Sequence, residues 1–279
     1  MKLFGLIGDP VGHSMSPAMH NDAFQSLGFQ GYYHAFPVAA ANLEAAVAGL
    51  NILGFSGFNV TIPHKTAIMP FLDDIDPLAR AIGAVNTVVR ENGGFTGYNT
   101  DGPGFVRALE EELDIAPSGE RALLIGAGGA ARGIYYSLVA AGCRRVDVCN
   151  RTPSKALNMI KGRPSGCETA VLSLEEAERQ LEAYTLIIQT TSIGMHPNVG
   201  EQPLELDRLK VGAAVCDIIY NPLETAFLQQ AKEMGARTQN GVGMFVYQGA
   251  LAFEKWTGSR PDIGRMKQIV TKQLGGITC

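Results

Sequence analysis

One stretch limits what this chain can fold into more than any other: RALLIGAGGAAR, Arg121 to Arg132. Ala122 to Ile125 is a short apolar run that reads as a strand buried on both faces, and it stops at Gly126 before a helical pattern begins near Gly129. Gly126, Gly128 and Ala131 fill the three small-residue places of the dinucleotide fingerprint. The first allows a tight turn, the second lets a pyrophosphate approach the backbone, and the third lets helix lie close on strand, so that phosphates meet the helix N-terminus. GxGxxA is a weak signal by itself. Its strand-turn-helix setting gives it weight, and the unit continues with a helix to Ala141, a C′ residue at Gly142 and a second strand over Arg145 to Cys149, which completes a βαβ crossover.

The tip of that second strand selects the cofactor. An NAD-binding unit places an acid there for the ribose hydroxyls, whereas this chain reads Asn150, Arg151, Thr152, with Lys155 beyond. A guanidinium suits a 2′-phosphate, so Arg151, with Lys155 as a second cation, points to NADP. The competing reading is that both are solvated surface charges. A methyltransferase would also use a glycine-rich first turn, but it too would need a carboxylate for its ribose.

Bulk properties narrow the rest. At 279 residues and 46% hydrophobic, the chain has room for two domains with ample core. A net charge of −4 argues against general affinity for nucleic acid. The five cysteines (Cys143, Cys149, Cys167, Cys216, Cys279) form no CxxC pair and the five histidines show no ligand spacing, so neither a disulfide frame nor a metal site is expected. The opening MKLFGLIGDP is apolar only briefly, which leaves no signal peptide or membrane span and suggests a cytoplasmic protein.

Along the chain, Leu3 to Ile7 reads as a buried strand and DPVGHSMSP as a turn ending in Ser16-Pro17, a good N-cap and N1 pair. The helix that follows runs to Leu27. Ser14 and Ser16 thus sit at the C-terminal end of a strand, where open α/β sheets bind ligands, although helix capping alone would also explain Ser16. His13 and His20 read as structural hydrogen-bonders. Tyr32 to Val38 is a second strand, and Asn42 caps a helix carrying Leu43, Val47 and Leu50. In GFSGFNVTIPHK, alternation puts Phe58, Val60 and Ile62 on one face and Asn59 and Thr61 on the other, with Lys65 just beyond the tip. Ala81 to Val89 is an apolar run interrupted by Asn86-Thr87, and Phe95 to Asp101 runs into a helix that Asp101 begins. Each of these polar groups has a bland explanation. A series of segments leaving Asn, Thr, Ser, Lys or Asp at one end is nonetheless the expected lining of a polyol or hydroxy-acid pocket.

Asp114 to Glu120 is polar, with Pro and Gly, and marks the change of domain. Beyond the first βαβ unit, Thr152-Pro153 starts a helix, Leu172 to Ala183 reads as a charged helix, and Thr185 to Gln189 as a buried strand leading into Thr190, Thr191 and Ser192, a loop placed to face a cofactor. Ala213 to Ile219 is a further strand ending at Tyr220, and Glu224 to Met234 a helix. Asn240 to Gly243 reads as a glycine hinge before a helix from Met244 to Lys255. The last helix, Ile263 to Leu274, is expected to pack back on the first domain.

Taken together, GDPVGHSMSPAMHN, FNVTIPHK, AIGAVNT, GYNTDGPG, IGAGGAAR, NRTPSK, TTSIGM and GMFVYQGALAFEKWTG resemble, in order and over nearly the whole chain, the motifs of the shikimate dehydrogenase family. The resemblance implies an α/β fold with two parts: an N-terminal α/β substrate domain (residues 1–102 and 243–279) and a Rossmann-type doubly wound NADP domain (103–242), with a cleft between. It implies that Ser14 and Ser16 hold the substrate carboxylate, that Asn59, Thr61, Asn86, Asp101 and Gln248 bind ring hydroxyls, and that Lys65 and Asp101 form the catalytic pair. Gly126, Gly128, Gly129 and Ala130 would line the pyrophosphate, while Asn150, Arg151, Thr152 and Lys155 would hold the adenosine phosphate. Thr190, Thr191, Ser192, Gly241 and Met244 would border the adenosine or nicotinamide, and Tyr220 the substrate mouth. The family often carries arginine where Lys155 stands, a departure that loosens the phosphate grip without removing it.

The implied reaction is the reversible NADPH-dependent reduction of 3-dehydroshikimate to shikimate, on the chorismate route to aromatic amino acids, by a monomer or homodimer. Reducing a ketone requires a proton for the developing alkoxide, and a lysine ammonium is a natural donor. Which of Lys65 and Asp101 moves the proton stays open at the level of sequence. Two alternatives are a quinate or shikimate dehydrogenase favouring NAD, which should carry an acid near position 151, and a silent ligand-binding regulator on the same fold, which could dispense with the Lys65 and Asp101 pair.

Overall fold

The computed structural model describes residues 1–163 and 166–277, so Cys279 lies outside the described residues. It divides into two compact units: residues 1–100 together with the segment from Val246 onward, and residues 101–245. This division puts Asp101 in the second unit and Lys65 in the first.

The first hundred residues form β1 (Lys2–Gly8), α1 (Ser16–Ser26), β2 (Gly31–Pro37), α2 (Leu43–Ile52), β3 (Gly57–Val60), α3 (His64–Ala67), β4 (Asp74–Ile75), α4 (Pro77–Ile82), β5 (Thr87–Glu91) and β6 (Gly94–Tyr98). Their sheet has the order β2-β1-β3-β5-β6-β4. β1 runs parallel to β2 and β3, while β5 runs antiparallel to both β3 and β6. That reversal brings the start of β5 and the end of β6 to the sheet edge where β1 and β3 finish. One face of the sheet buries Ile7, Phe58, Val60, Val88 and Phe95 against Leu43, Val47 and Leu50 of α2. The other is aromatic: Phe4 stacks on Phe24 at 5.0 Å and meets Trp256 at 5.2 Å.

The second unit holds α5 (Asp101–Leu113), β7 (Arg121–Ile125), α6 (Gly129–Ala140), β8 (Arg145–Cys149), α7 (Pro153–Met159), β9 (Val171–Leu172), α8 (Leu174–Glu178), β10 (Leu186–Gln189), β11 (Ala214–Asp217), α9 (Ala226–Glu233) and β12 (Arg237–Gln239). Its six strands lie in the order β12-β11-β10-β7-β8-β9, every pair parallel. This is the doubly wound arrangement, whose order reverses between β7 and β10; ligands bind outside the strand ends at such a switch point. α10 (Gly241–Thr257) and α11 (Ile263–Ile277) complete the chain. α11 packs on α1 in the first unit, where the Arg265 guanidinium forks onto the Asp22 carboxylate.

Several local expectations are corrected. β3 ends at Val60, and Ile62, expected to share the buried face, is 71% exposed because the strand has already stopped. Leu172 to Ala183 is no single helix. A capping box between Ser173 and Glu176 sets a late start, α8 ends at Glu178, and a separate 3-10 turn over Leu181–Ala183 drops Leu181 into the core. Ala81 to Val89 splits into the end of α4 and the start of β5, with Gly83 at φ 73° between them. Finally, the helix expected from Met244 starts earlier: α10 begins at Gly241, and the Asn240 side chain accepts from the Val242 amide at 3.1 Å.

Candidate active site

The polar edge of the first unit is built from four strand ends. After β1, the Ser14 hydroxyl accepts from the Ser16 amide at 3.3 Å. Ser16 is therefore the capped residue, not the cap: α1 has Met15 at its N-cap position with no side-chain capping bond. Ser16 is itself buried. Gly8 is required here, since a Cβ would collide with the Thr61 methyl and the Ile62 carbonyl.

At the end of β3, Asn59 is buried in a dense network. Its Nδ2 donates to the Asn86 carbonyl and to Thr87 Oγ1, both at 3.1 Å, while Oδ1 accepts from the Tyr33 hydroxyl at 2.8 Å. Asn86, entering β5, accepts on Oδ1 from the Thr100 amide at 2.7 Å and donates through Nδ2 to Thr100 Oγ1 at 3.0 Å and Gln248 Oε1 at 3.4 Å. Asn59, Asn86 and Gln248, expected from sequence to act together, thus belong to one connected cluster. Half-buried Lys65 stands on the short α3. Its carbonyl accepts from the Val85 amide, and buried His64 anchors the turn through Nε2 to the Val38 carbonyl at 2.6 Å.

Tyr33, Thr87 and Thr100 were not singled out by sequence. A signal existed for Tyr33: it is the inward residue of an alternating strand, and a buried tyrosine hydroxyl needs a partner. Burial pushes its phenol well above the usual range. His20 also departs from expectation. Neither ring nitrogen has a hydrogen-bond partner among the described residues; the ring stacks on Tyr33 at 4.6 Å and lies 5.2 Å from Trp256.

In the second unit, Gly126 takes φ 114°, a conformation L side chains rarely adopt, and a Cβ there would stand 2.5 Å from Thr190 Oγ1. The chain thus runs close past the β10 loop as it leaves β7. Thr190 is held by a 2.7 Å bond to the Ile125 carbonyl, and the Thr191 amide donates to Gln189 Oε1 at 2.8 Å. Gly128 is the N-cap of the 12-residue α6 and no described side chain caps it; Gly128 and Gly129 are exposed, with open space where a Cβ would be, and Ala130 follows in the first turn. Past β8, the Asn150 side chain donates to the Thr152 carbonyl at 2.8 Å, and Arg151, Thr152 and Lys155 are exposed. Bare backbone at the helix N-terminus after β7, with two exposed cations past the end of the neighbouring β8, is a donor set suited to a dinucleotide carrying an additional phosphate.

The far side of the same sheet carries the remaining expected residues. Asp217 ends β11, where its carboxylate accepts from the Ile219 amide at 2.9 Å and from Thr225 Oγ1 at 2.8 Å, and burial pushes it up to about 6. This holds the turn carrying Tyr220, whose ring meets Phe245 at 5.5 Å and whose phenol burial also raises. Gly241 lies so close to the Ile218 carbonyl that no side chain fits, and half-buried Met244 follows one turn later; half-buried Asp101 opens α5 and exposed Ser192 lies in the β10 loop. Among the described residues no cluster of His, Cys, Asp or Glu could hold a metal ion, and no helix is long and apolar enough to cross a membrane.

Three family models match the chain: shikimate dehydrogenase substrate binding domain over residues 6–88, shikimate / quinate 5-dehydrogenase over 109–210, and shikimate 5′-dehydrogenase C-terminal domain over 241–271. A shikimate dehydrogenase (NADP(+)) of Geobacillus sp. (strain WCH70) is 58% identical over 99% of both chains. Among solved structures, a shikimate dehydrogenase in complex with NADP+ superposes with a TM-score of 0.91 at 43% identity, covering 98% of this chain and 96% of that one. The Thermus thermophilus enzyme, solved with NADP(H) and shikimate, gives 0.88 at 37% identity, covering 98% and 100%. Matched by these family models and by a relative 58% identical over 99% of its length, the chain belongs to the shikimate dehydrogenase family.

Proposed function

We propose that this chain is an NADP-dependent shikimate dehydrogenase that interconverts 3-dehydroshikimate and shikimate in the biosynthesis of aromatic amino acids. The observation that carries the reading is the polar edge of the first unit, with Lys65 beside a connected Asn59, Asn86 and Gln248 cluster, in a chain matching such enzymes over 99% of its length. NADPH, when bound, supplies the hydride. Gly126, Gly128, Gly129 and Ala130 receive its pyrophosphate, Arg151 and Lys155 its 2′-phosphate beside Asn150 and Thr152, and Thr190, Thr191, Ser192, Gly241 and Met244 border the rest. Ser14 and Ser16 take the substrate carboxylate; Asn59, Thr61, Asn86 and Gln248 take ring hydroxyls, with Tyr220 at the mouth. Lys65 donates the proton that the developing alkoxide needs, with Asp101 as its acid-base partner.

The test is nicotinamide absorbance with purified protein and shikimate or quinate, each against NADP and NAD. Rapid reduction with shikimate and NADP is expected. Turnover with NAD as good as with NADP would defeat the Arg151 assignment, and no turnover with any pair would favour a silent binding protein on this fold. In the same assay, Lys65→Ala should lower kcat by at least about a hundredfold with little change in KM, the signature of a group acting in the transition state. Near-normal kcat would remove Lys65 from that role.

A further inference from the structure

The geometry points to Tyr33, seconded by Thr87, as a positioning residue that holds the Asn59 amide in the orientation set by the Asn86 carbonyl, so that a substrate meets its oxygen; this rests on the substrate-side reading above. A main-chain carbonyl can only accept, so the amide nitrogen of Asn59 must be the atom facing the Asn86 carbonyl at 3.1 Å. Its second hydrogen goes to Thr87 Oγ1, also at 3.1 Å. Both amide hydrogens are thereby engaged inside the protein. Oδ1 takes the Tyr33 proton at 2.8 Å, which leaves it one acceptor site. Asn59 can therefore accept from a substrate hydroxyl but has nothing to donate to a carbonyl. It recognises a ring hydroxyl that does not react, and leaves the ketone oxygen to other groups.

Tyr33 can hold this orientation because it is itself immobilised. It is 0% exposed, the His20 ring lies on it at 4.6 Å, and Trp256 packs at 6.0 Å. The Asn21 side chain clamps its main chain from both sides, donating to the Tyr33 carbonyl and accepting from the Tyr33 amide, each at 2.8 Å.

Tyr33→Phe keeps the ring and removes the donor. Asn59 would contact the substrate equally in ground and transition states, so KM for shikimate is expected to rise about tenfold while kcat and KM for NADP stay within about threefold. The double variant Tyr33→Phe with Asn59→Ala should be no worse than Asn59→Ala alone, because Tyr33 acts through Asn59. A fall in kcat at unchanged KM, which would mark a group acting only in the transition state, or additive losses in the double variant, would overturn the assignment. Should Tyr33→Phe fail to fold, Thr87→Val removes the partner at the other end of the amide and carries the same expectation and the same overturning results. A wild-type chain inactive on shikimate would defeat the proposed function and this assignment together, whereas an active wild type with a Tyr33→Phe KM within about twofold defeats the assignment alone.

Discussion

His20 illustrates how much one side chain can contribute to pH dependence without touching a ligand. Burial lowers its pKa from 6.5 to about 3, so the folded chain keeps it neutral where the unfolded chain takes up a proton. Its contribution to stability is complete above about pH 6.5 and is lost progressively as the pH falls toward 3, by up to about 1.4 kcal/mol per pH unit. Replacing it with phenylalanine removes no hydrogen bond to a described residue. Between pH 7 and pH 5, the stability of His20→Phe measured in urea should improve relative to wild type by about 2 kcal/mol; a difference independent of pH would show that this imidazole is protonated in the folded state. At this scale the sequence was legible where a motif named the atom, as with Asn59 and Asn86, and opaque where a role depends on a distant partner. Ser16-Pro17 is a good local cap pair, yet α1 has Met15 at its N-cap and no side-chain capping bond.

Among the elements, β7 through β8 followed the apolar run and glycine turn to within one residue, since a parallel strand buried on both faces has few alternatives. The direction of β5 was not readable. Nothing in AIGAVNTVV says whether the strand pairs parallel or antiparallel with β3, because orientation is set by the partner and not by alternation. Yet that orientation delivers Asn86 to the working edge. Within β8, Asp147 breaks the apolar pattern in a way the sequence did not explain. It is fully buried, accepting from Arg145 Nε at 2.7 Å, the Tyr184 hydroxyl at 2.9 Å and the Ala170 amide at 2.8 Å, and so fastens β9 and the segment before β10 to the sheet. Asp147→Ala should cost about 3–5 kcal/mol in chemical denaturation, since it leaves those donors without their acceptor; a loss below about 1 kcal/mol would mean that solvent or neighbouring side chains replace the carboxylate.

For the whole molecule, each unit has its own sheet and its own core; Ser14, Asn59 and Asn86 lie in the first, and the glycine turn and Arg151 in the second. Hydrogen exchange on the intact chain should therefore separate them. Saturating NADP is expected to slow the amides from Gly126 to Arg132, and shikimate those around Ser14, Asn59 and Asn86; protection at the wrong set would reassign the units. The chain contains a single tryptophan, Trp256, whose indole nitrogen donates to the Val88 carbonyl at 2.9 Å and whose ring occupies the space that Gly57 leaves beside β3. The protein thus carries an optical label in the first unit and none in the second. Tryptophan emission during denaturation reports on that unit alone, and comparing it with far-ultraviolet dichroism, which averages over both, reveals whether the chain melts in one step or two.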